Sequence, residues 1–333
     1  YYLKFKMIAI KSPLRITIAG GGTDLPWWYK KNGGLVISSS INRFVNIVGF
    51  KRNFDKKIFL SYSRIEVCNK IKEIKNEIIK ICFQKFKINS SIEIHSISEV
   101  PGGSGLGSSG AFTASLIKFL AEYKKIKMSR QQIANMACDV EMKSLKRSSG
   151  KQDAFMSVFG GFQEIKINKK GAVKIKKLKI SKKNIRKFKD STLTYFTGIT
   201  RDSETILKSQ KKNYIKKSDK KKIFTKIADL TTHIKKSLLH GNIKEIGKLF
   251  HKHWLYKKKM TPLMSNNFID KVYNFARKNG ALGGKIIGAG GGGFILFIID
   301  KRKKKLLRKK LIKFKLNEFD WNFNMKGTSV SKL

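Results

Sequence analysis

Residues 101–110 read Pro-Gly-Gly-Ser-Gly-Leu-Gly-Ser-Ser-Gly. Glycine admits positive φ and lets backbone N–H groups approach a ligand closely. The helix-like run Ala111–Tyr123 follows at once. A helix starting there adds four unpaired N–H groups and a partial positive charge. Together they suit an anion, most simply a phosphate. Ser104, Ser108 and Ser109 add hydroxyls that could reach phosphate oxygens or a Mg²⁺ ion.

Two common phosphate motifs do not account for this stretch. Gly105-Leu-Gly107-Ser-Ser-Gly110 fits G-x-G-x-x-G. That fingerprint belongs to a first β-turn-α unit with an acid about 20 residues further on. Here it lies a third of the way along the chain, and Glu122 falls inside the helix. A Walker A loop needs Gly-Lys-Ser/Thr, but Ser108 follows Gly107. A flexible glycine-serine linker would not sit between the strand-like Ile92–Val100 and an amphipathic helix.

The elements that must position this chemistry can be read along the chain. Leu14, Ile16 and Ile18 alternate with Arg15 and Thr17, predicting a strand over 11–20. It runs into Gly20-Gly-Gly-Thr23-Asp24, an irregular turn that presents Asp24 at the strand's end. Asn32-Gly-Gly34 reads as a hairpin turn, with strands over 35–41, 44–50 and 58–62. A helix is expected over 69–83. Another spans 129–141, with Ser129 and Gln132 as its capping box. Residues 171–180 read as a basic strand or hairpin, and the charged 182–190 as a domain boundary. A strand over 192–196 ends in Thr197-Gly-Ile-Thr-Arg201. Helices follow over 203–217, 221–239, 243–256 and 267–279, the last closed by Gly280. Residues 285–299 form a strand, a glycine turn (Gly288–Gly293) and a strand. A basic helix over 301–315 and a strand near 319–325 end the chain.

A length of 333 residues suggests two domains, here 7–190 and 191–333. Met7 reads as the natural start, since Tyr1–Lys6 fits no element. An apolar fraction of 41% supports a proper core. No apolar run reaches the ~18–20 residues that span a bilayer, and no signal peptide is evident. Cys68, Cys82 and Cys138 are scattered and form no Cys-x-x-Cys pair, so a reducing cytoplasm is the expected setting. The net charge of +51 raises the alternative of a nucleic-acid binder. Yet lysines are spread along the whole chain, and arginine, the usual base-reading residue, is sparse. Abundant Lys, Ile and Asn point to a low-GC coding bias, so neither nucleic acid nor membrane is expected as a partner. A monomer or homodimer is expected.

The full string Pro-x-Gly-Ser-Gly-Leu-Gly-Ser-Ser-Gly resembles the second motif of the galactokinase, homoserine kinase, mevalonate kinase and phosphomevalonate kinase (GHMP kinase) superfamily. The stretches Gly20–Asp24, Pro101–Gly110 and Gly288–Gly293 stand where its three motifs stand. More narrowly, Arg15-Ile-Thr-Ile-Ala-Gly-Gly-Gly-Thr-Asp-Leu-Pro26, Gly150-Lys-Gln-Asp153 and Thr197-Gly-Ile-Thr-Arg201 look like the D-glycero-D-manno-heptose 7-phosphate kinase branch. The implied fold is α+β in two domains, an N-terminal one like the second domain of ribosomal protein S5 and a ferredoxin-like C-terminal one. The implied reaction moves the γ-phosphoryl of ATP, with Mg²⁺, to a sugar or sugar-phosphate held between them.

The resemblance also implies roles. Asp153 is the candidate base, or else a helix N-cap; this chain has Ala154 where the family commonly has Gln. Arg15 would hold that carboxylate ionised. Asp24, with Thr23, would bind sugar hydroxyls; an Asx turn is the other reading of Asp24. Ser109 and Glu141 would hold Mg²⁺, Glu141 otherwise being a solvated helix residue. Pro101, Gly102, Gly103, Ser104, Gly105, Leu106, Gly107, Ser108, Ser109 and Gly110 would cradle ATP. The loop of Gly288, Gly290, Gly291 and Gly292 would back them. Arg43, Arg147, Arg201 and Lys285 are candidate cations for a substrate phosphate, with Arg201 chosen as substrate-binding. Trp27 and Trp28 could stack on sugar or pack under the loop, and His251 and His253 read as surface or cleft-lining.

Overall fold

The computed structural model describes residues 7–332; Tyr1–Lys6, and with them the reading of what precedes Met7, lie outside the described residues. In chain order the elements are β1 (Ile8–Ala19), α1 (Pro26–Asn32), β2 (Gly34–Lys51), β3 (Ile58–Ser61), β4 (Ile65–Cys68), α2 (Glu77–Phe86), β5 (Ile92–Ser98), α3 (Ser108–Tyr123), α4 (Arg130–Asp139), α5 (Gln152–Phe159), β6 (Phe162–Ile167), β7 (Val173–Lys177) and α6 (Lys182–Asp190). Then come β8 (Thr192–Phe196), α7 (Ser203–Lys216), α8 (Ser218–Leu239), α9 (Ile243–Lys258), α10 (Asn267–Lys278), β9 (Ala281–Ile286), β10 (Phe294–Ile299), α11 (Lys301–Leu311), β11 (Asn317–Glu318) and β12 (Ser329–Lys332).

The first sheet runs β12-β1-β2-β5-β3-β4, and β6 also pairs with the long β2 and carries β7. The second runs β11-β8-β10-β9, antiparallel throughout. This is the expected α+β class. Residues Leu14, Ile16 and Ile18 of β1 share one buried cluster with Ile234 of α8, Phe250 of α9 and Leu296 of β10. That common core fixes the second sheet and its helices against the end of β1.

The register of β1 matters for the chemistry. Pro13 has no N–H to give a ladder, and the β1–β2 pairing shifts between Pro13 and Arg15. Arg15 donates its backbone N–H to the Leu106 carbonyl at 3.0 Å. The strand is thereby tied to the glycine loop at the residue that carries the guanidinium.

Four local readings are corrected. Asn32-Gly33-Gly34 is no hairpin: Gly33, at φ 72°, ends helix α1. Trp27 and Trp28 hold that helix by packing on Tyr214 and Phe224, with ring centroids 4.6–5.9 Å apart. The stretch 182–190 is a helix, capped by Ser181 and docked through Phe188. The helix expected over 69–83 starts only at Glu77, where the Asn76 side chain caps it. The final regular strand is Ser329–Lys332, back in the first sheet against β1; near 319–325 only Phe323 makes a bridge, to Ile41. No helix among the described residues is long and apolar enough to cross a membrane.

Candidate active site

A cleft of about 470 Å³ opens where the end of β1, the N-termini of α3 and α5, helix α9 and the β9–β10 turn meet. Gly103, Gly105, Gly107, Ser108 and Ser109 line it. Ser104 and Leu106 turn inward, Gly110 is buried, and Pro101 and Gly102 face solvent. Gly105 holds φ 89°, and a Cβ there would lie 2.6 Å from the Ile287 carbonyl oxygen. Gly288 holds φ 78°, and its Cβ would lie 2.6 Å from the Gly105 carbonyl oxygen. The second and third glycine loops interlock at a separation that only glycine permits. Gly291 packs against Leu263 and Ile206, and Gly292 against Ile199, away from the cleft.

Asp153 sits in the first turn of α5, one position past the start, so it is not the N-cap. The partial positive charge of that helix end favours a carboxylate there. Arg15 is 5% exposed. Its Nε donates to Asp153 Oδ1 at 2.8 Å, and Nη2 lies 2.7 Å from the same oxygen. Its Nη1 donates to the Gly105 carbonyl at 2.5 Å. One guanidinium therefore joins the carboxylate to the glycine loop, with Asp153 Oδ2 left out of both Arg15 contacts.

Asp24 is buried at the mouth of the first glycine turn. It accepts hydrogen bonds from the Gln152 backbone N–H (3.0 Å), from Gln152 Nε2 (3.3 Å) and from the Gly22 N–H (3.2 Å). Burial pushes its carboxyl above the usual carboxylate range, although these donors act the other way. Thr17 donates to Gln152 Oε1 at 2.6 Å, which fixes the amide's orientation. A Cβ on Gly150 would lie 2.0 Å from Asp24 Oδ2, so this position must be bare. Thr23 ties its hydroxyl to the Gly20 and Leu35 carbonyls and does not line the cleft.

Glu141 lies on a π-helical turn, Val140–Ser144, that follows α4; such turns often mark functional positions. It is buried rather than solvated. Ser109 donates to Glu141 Oε1 at 2.8 Å and Thr113 donates to the same oxygen at 2.9 Å. Burial raises the Glu141 carboxyl above its ordinary range. No group of three or more His, Cys, Asp and Glu is placed to hold a metal among the described residues. The Ser109 hydroxyl and the Glu141 carboxylate are hard oxygen donors of the kind that fit Mg²⁺, which keeps waters and takes phosphate oxygens.

The family described as "GHMP kinases N terminal domain" matches residues 69–161, and "GHMP kinases C terminal" matches 234–317. A D-glycero-alpha-D-manno-heptose 7-phosphate kinase of Campylobacter jejuni is 30% identical over 299 residues, covering 86% of this chain and 87% of that protein. The chain belongs to the GHMP kinase superfamily. As a GHMP kinase it is a phosphotransferase that takes ATP as donor. Among solved structures, a putative sugar kinase from Campylobacter jejuni is 27% identical at a TM-score of 0.76, covering 98% of both chains. A D-glycero-D-manno-heptose 1-phosphate kinase from Bacteriodes thetaiotaomicron shares the fold at a TM-score of 0.80 and 22% identity, over 98% of this chain and 99% of that one.

In this GHMP kinase Arg201 braces the loops. It donates from Nη1 to the Gly103 carbonyl and from Nε to the Gly290 carbonyl, and its buried Nη2 has no partner. Burial brings the guanidinium down to about 10. Arg147 lines the cleft and lies 3.5 Å from Glu77. Arg43 is elsewhere, bonded to the Asn42 and Asp320 carbonyls. Trp27 and Trp28 are packing residues outside the cleft lining.

Sequence reading missed Gln152, Thr113 and Lys257. Lys257 lines the cleft, is buried, and donates to the Gly288 carbonyl. Its signal was the i, i+4 spacing from His253, which puts both on one helix face. His253 is the cleft-lining member of the histidine pair; His251 instead bonds the Tyr273 hydroxyl at 2.8 Å.

Proposed function

We propose that this GHMP kinase, a phosphotransferase with a sugar acceptor, phosphorylates the anomeric hydroxyl of D-glycero-D-manno-heptose 7-phosphate. The product is the 1,7-bisphosphate, a step toward nucleotide-activated heptose for surface polysaccharide, made in the cytoplasm. The observation that carries the reaction type is the Arg15 bridge from Asp153 to the Gly105 carbonyl, which couples a carboxylate to the phosphate loop. The choice of sugar rests on the Campylobacter jejuni relative and its coverage of almost the whole chain. The division into 7–190 and 191–333 belongs to the same reading, with the last strand returning to the first sheet.

Asp153 Oδ2 takes the proton of the anomeric hydroxyl as its oxygen bonds to the γ-phosphorus. The bond from that phosphorus to the bridging oxygen breaks, and ADP leaves. Arg15 holds the carboxylate in place through Oδ1 and sits where charge develops. Asp24, held by Gln152, accepts from sugar hydroxyls. The α3 N-terminus and the glycine N–H groups hold the ATP phosphates, and the Gly288 loop keeps them in place. Ser109 and Glu141 would hold Mg²⁺, which when bound neutralises charge on the transferring phosphates.

A panel of heptose 7-phosphate, unphosphorylated heptose, fucose and galactose, read by ADP release, tests the proposal. The expected result is turnover dominated by the heptose phosphate. Turnover of free hexoses without the heptose phosphate would overturn the choice of sugar and favour a C1 kinase for an unphosphorylated sugar.

A further inference from the structure

One wall of the cleft carries more buried cation than the chemistry above uses. His253 and Lys257 of α9 and Lys285 of β9 line it at 2%, 7% and 3% exposure. Lys285 donates to the Ile18 carbonyl at 2.6 Å and lies over the Phe250 ring, 4.5 Å from its centroid. Lys257 donates to the Gly288 carbonyl. Among the described residues neither ammonium has a carboxylate partner within ion-pair distance. An ammonium has three donors, and the protein takes one from each. Both ring nitrogens of His253 are buried without a hydrogen-bond partner.

Such an arrangement is costly to fold. A buried polar atom without a partner loses its hydration and gains nothing for it, and a buried charge without a counter-charge loses more. Burial, with the charges of Arg201 and Arg15, brings Lys257 down to about 7; burial and neighbouring cations, Lys285 and Lys257 for His253 and Lys257 and Arg15 for Lys285, lower the other two well below their ordinary ranges. A dianion placed among the three groups would accept from an imidazole N–H and from the free ammonium donors, and would favour the charged form of each group.

This wall borders the glycine loops at one end and the sugar-facing turn at the other. Lys257 and Arg201 are fastened to the glycine loops, through Gly288, Gly103 and Gly290. Lys285 is fastened to Ile18, two residues before the Gly20–Asp24 turn that carries the sugar-facing carboxylate. His253 lines the same cleft and is near enough to both lysines for their charges to lower it.

We infer that Lys285 and His253, with Lys257 at their border, receive a phosphate already carried by the sugar substrate, at a carbon remote from the hydroxyl being phosphorylated. This rests on the sugar-kinase reading and assigns the selection of a phosphorylated sugar to this wall. Lys285 was one of four cations open from the sequence; His253 adds a donor that only burial reveals.

Two measurements on the full chain decide it. The first compares kcat/KM for heptose 7-phosphate with that for heptose, in the parent, Lys285→Met and His253→Gln. Two charge-assisted contacts predict a parent preference of about 100-fold or more, falling to within about tenfold of parity in either variant. The apparent KM for ATP is the control that a collapsed cleft would move. A preference unchanged by both variants, or lost together with ATP affinity, overturns the assignment. The second titrates inorganic phosphate into protein saturated with a non-hydrolysable ATP analogue and follows the His253 imidazole nitrogens by NMR. A saturable shift at about millimolar phosphate, absent in Lys285→Met, is expected. An unmoved His253 overturns the inference. If no sugar phosphate is turned over at all, the proposed reaction fails, and this titration still decides the wall.

Discussion

Replacing Asp153 with Asn exchanges one carboxylate oxygen for an amide nitrogen and removes a charge. Both contacts from Arg15 land on Oδ1, so the amide oxygen can take that position and turn its NH₂ toward the cleft. The fold should therefore survive. The loss is that between a charge-assisted and a neutral hydrogen bond, about 1 kcal/mol, or a few degrees in Tm for a protein of this size. Chemistry should suffer far more, because the NH₂ group cannot accept the proton. A positioned general base contributes about 10²- to 10⁴-fold, equivalent to roughly 3–5 kcal/mol of barrier at 1.36 kcal/mol per tenfold. The assay is kcat from ADP release, with ATP affinity by calorimetry and Tm by scanning. The expected pattern is a kcat lower by at least about 100-fold, ATP affinity held, and Tm nearly unchanged. A kcat within about threefold of the parent would refute the base assignment, since no general base is worth so little. Loss of folding would refute the argument that Oδ1 alone carries the structural contact.

Three other outcomes follow from the geometry. Gly150→Ala puts a methyl 2.0 Å from Asp24 Oδ2, so the sugar KM should rise at least about tenfold, and stability should drop by about 1–3 kcal/mol, while the KM for ATP moves little. Burial raises the Glu141 carboxyl in the folded state above its ordinary 4.5, so its ionised form opposes folding when no metal is bound. Glu141→Gln should therefore stabilise the metal-free protein above the folded-state pKa, and that gain should vanish as pH falls toward the ordinary value. The same variant should need more Mg²⁺ for half-maximal rate, so a pH-independent Tm difference with unaltered Mg²⁺ demand would contradict the site. Lys257, held at about 7 by burial, is largely neutral at pH 8. An ATP polyanion beside it should raise its pKa, so ATP binding at pH 8 should take up a proton. Calorimetry in buffers of different ionisation enthalpy measures that uptake, and Lys257→Met should abolish it.

How much of this was legible in the sequence depended on the range of the interaction. The three glycine stretches were, because a loop that must pack backbone on backbone leaves no choice of residue. Ser129 and Gln132 announced the start of α4, and their capping box is present. Asn32-Gly33-Gly34 misled because a Gly after a short helix and a Gly in a hairpin look alike. What decides is Phe224 and Tyr214, far along the chain, under Trp27 and Trp28. The charged run 182–190 hid a helix whose apolar face is little more than Ile185 and Phe188. Ser329–Lys332 has no strand-like core pattern, being one ladder at a sheet edge. In the site, Arg15, Asp153, Ser109 and Glu141 stand together, each pair linked by a direct contact. Gln152 was not legible as a site residue and His253 was read only as surface or cleft-lining, because only the tertiary arrangement shows what they face.

The central claim is that phosphate is added to the anomeric oxygen of a heptose that already carries one. The most direct measurement is ³¹P NMR of a complete turnover with D-glycero-D-manno-heptose 7-phosphate and ATP. The account predicts a new phosphate resonance coupled to the anomeric proton, beside an unchanged 7-phosphate resonance, at one equivalent per ADP formed. A new phosphate on any other carbon, or ADP formed with no second sugar phosphate, would contradict it.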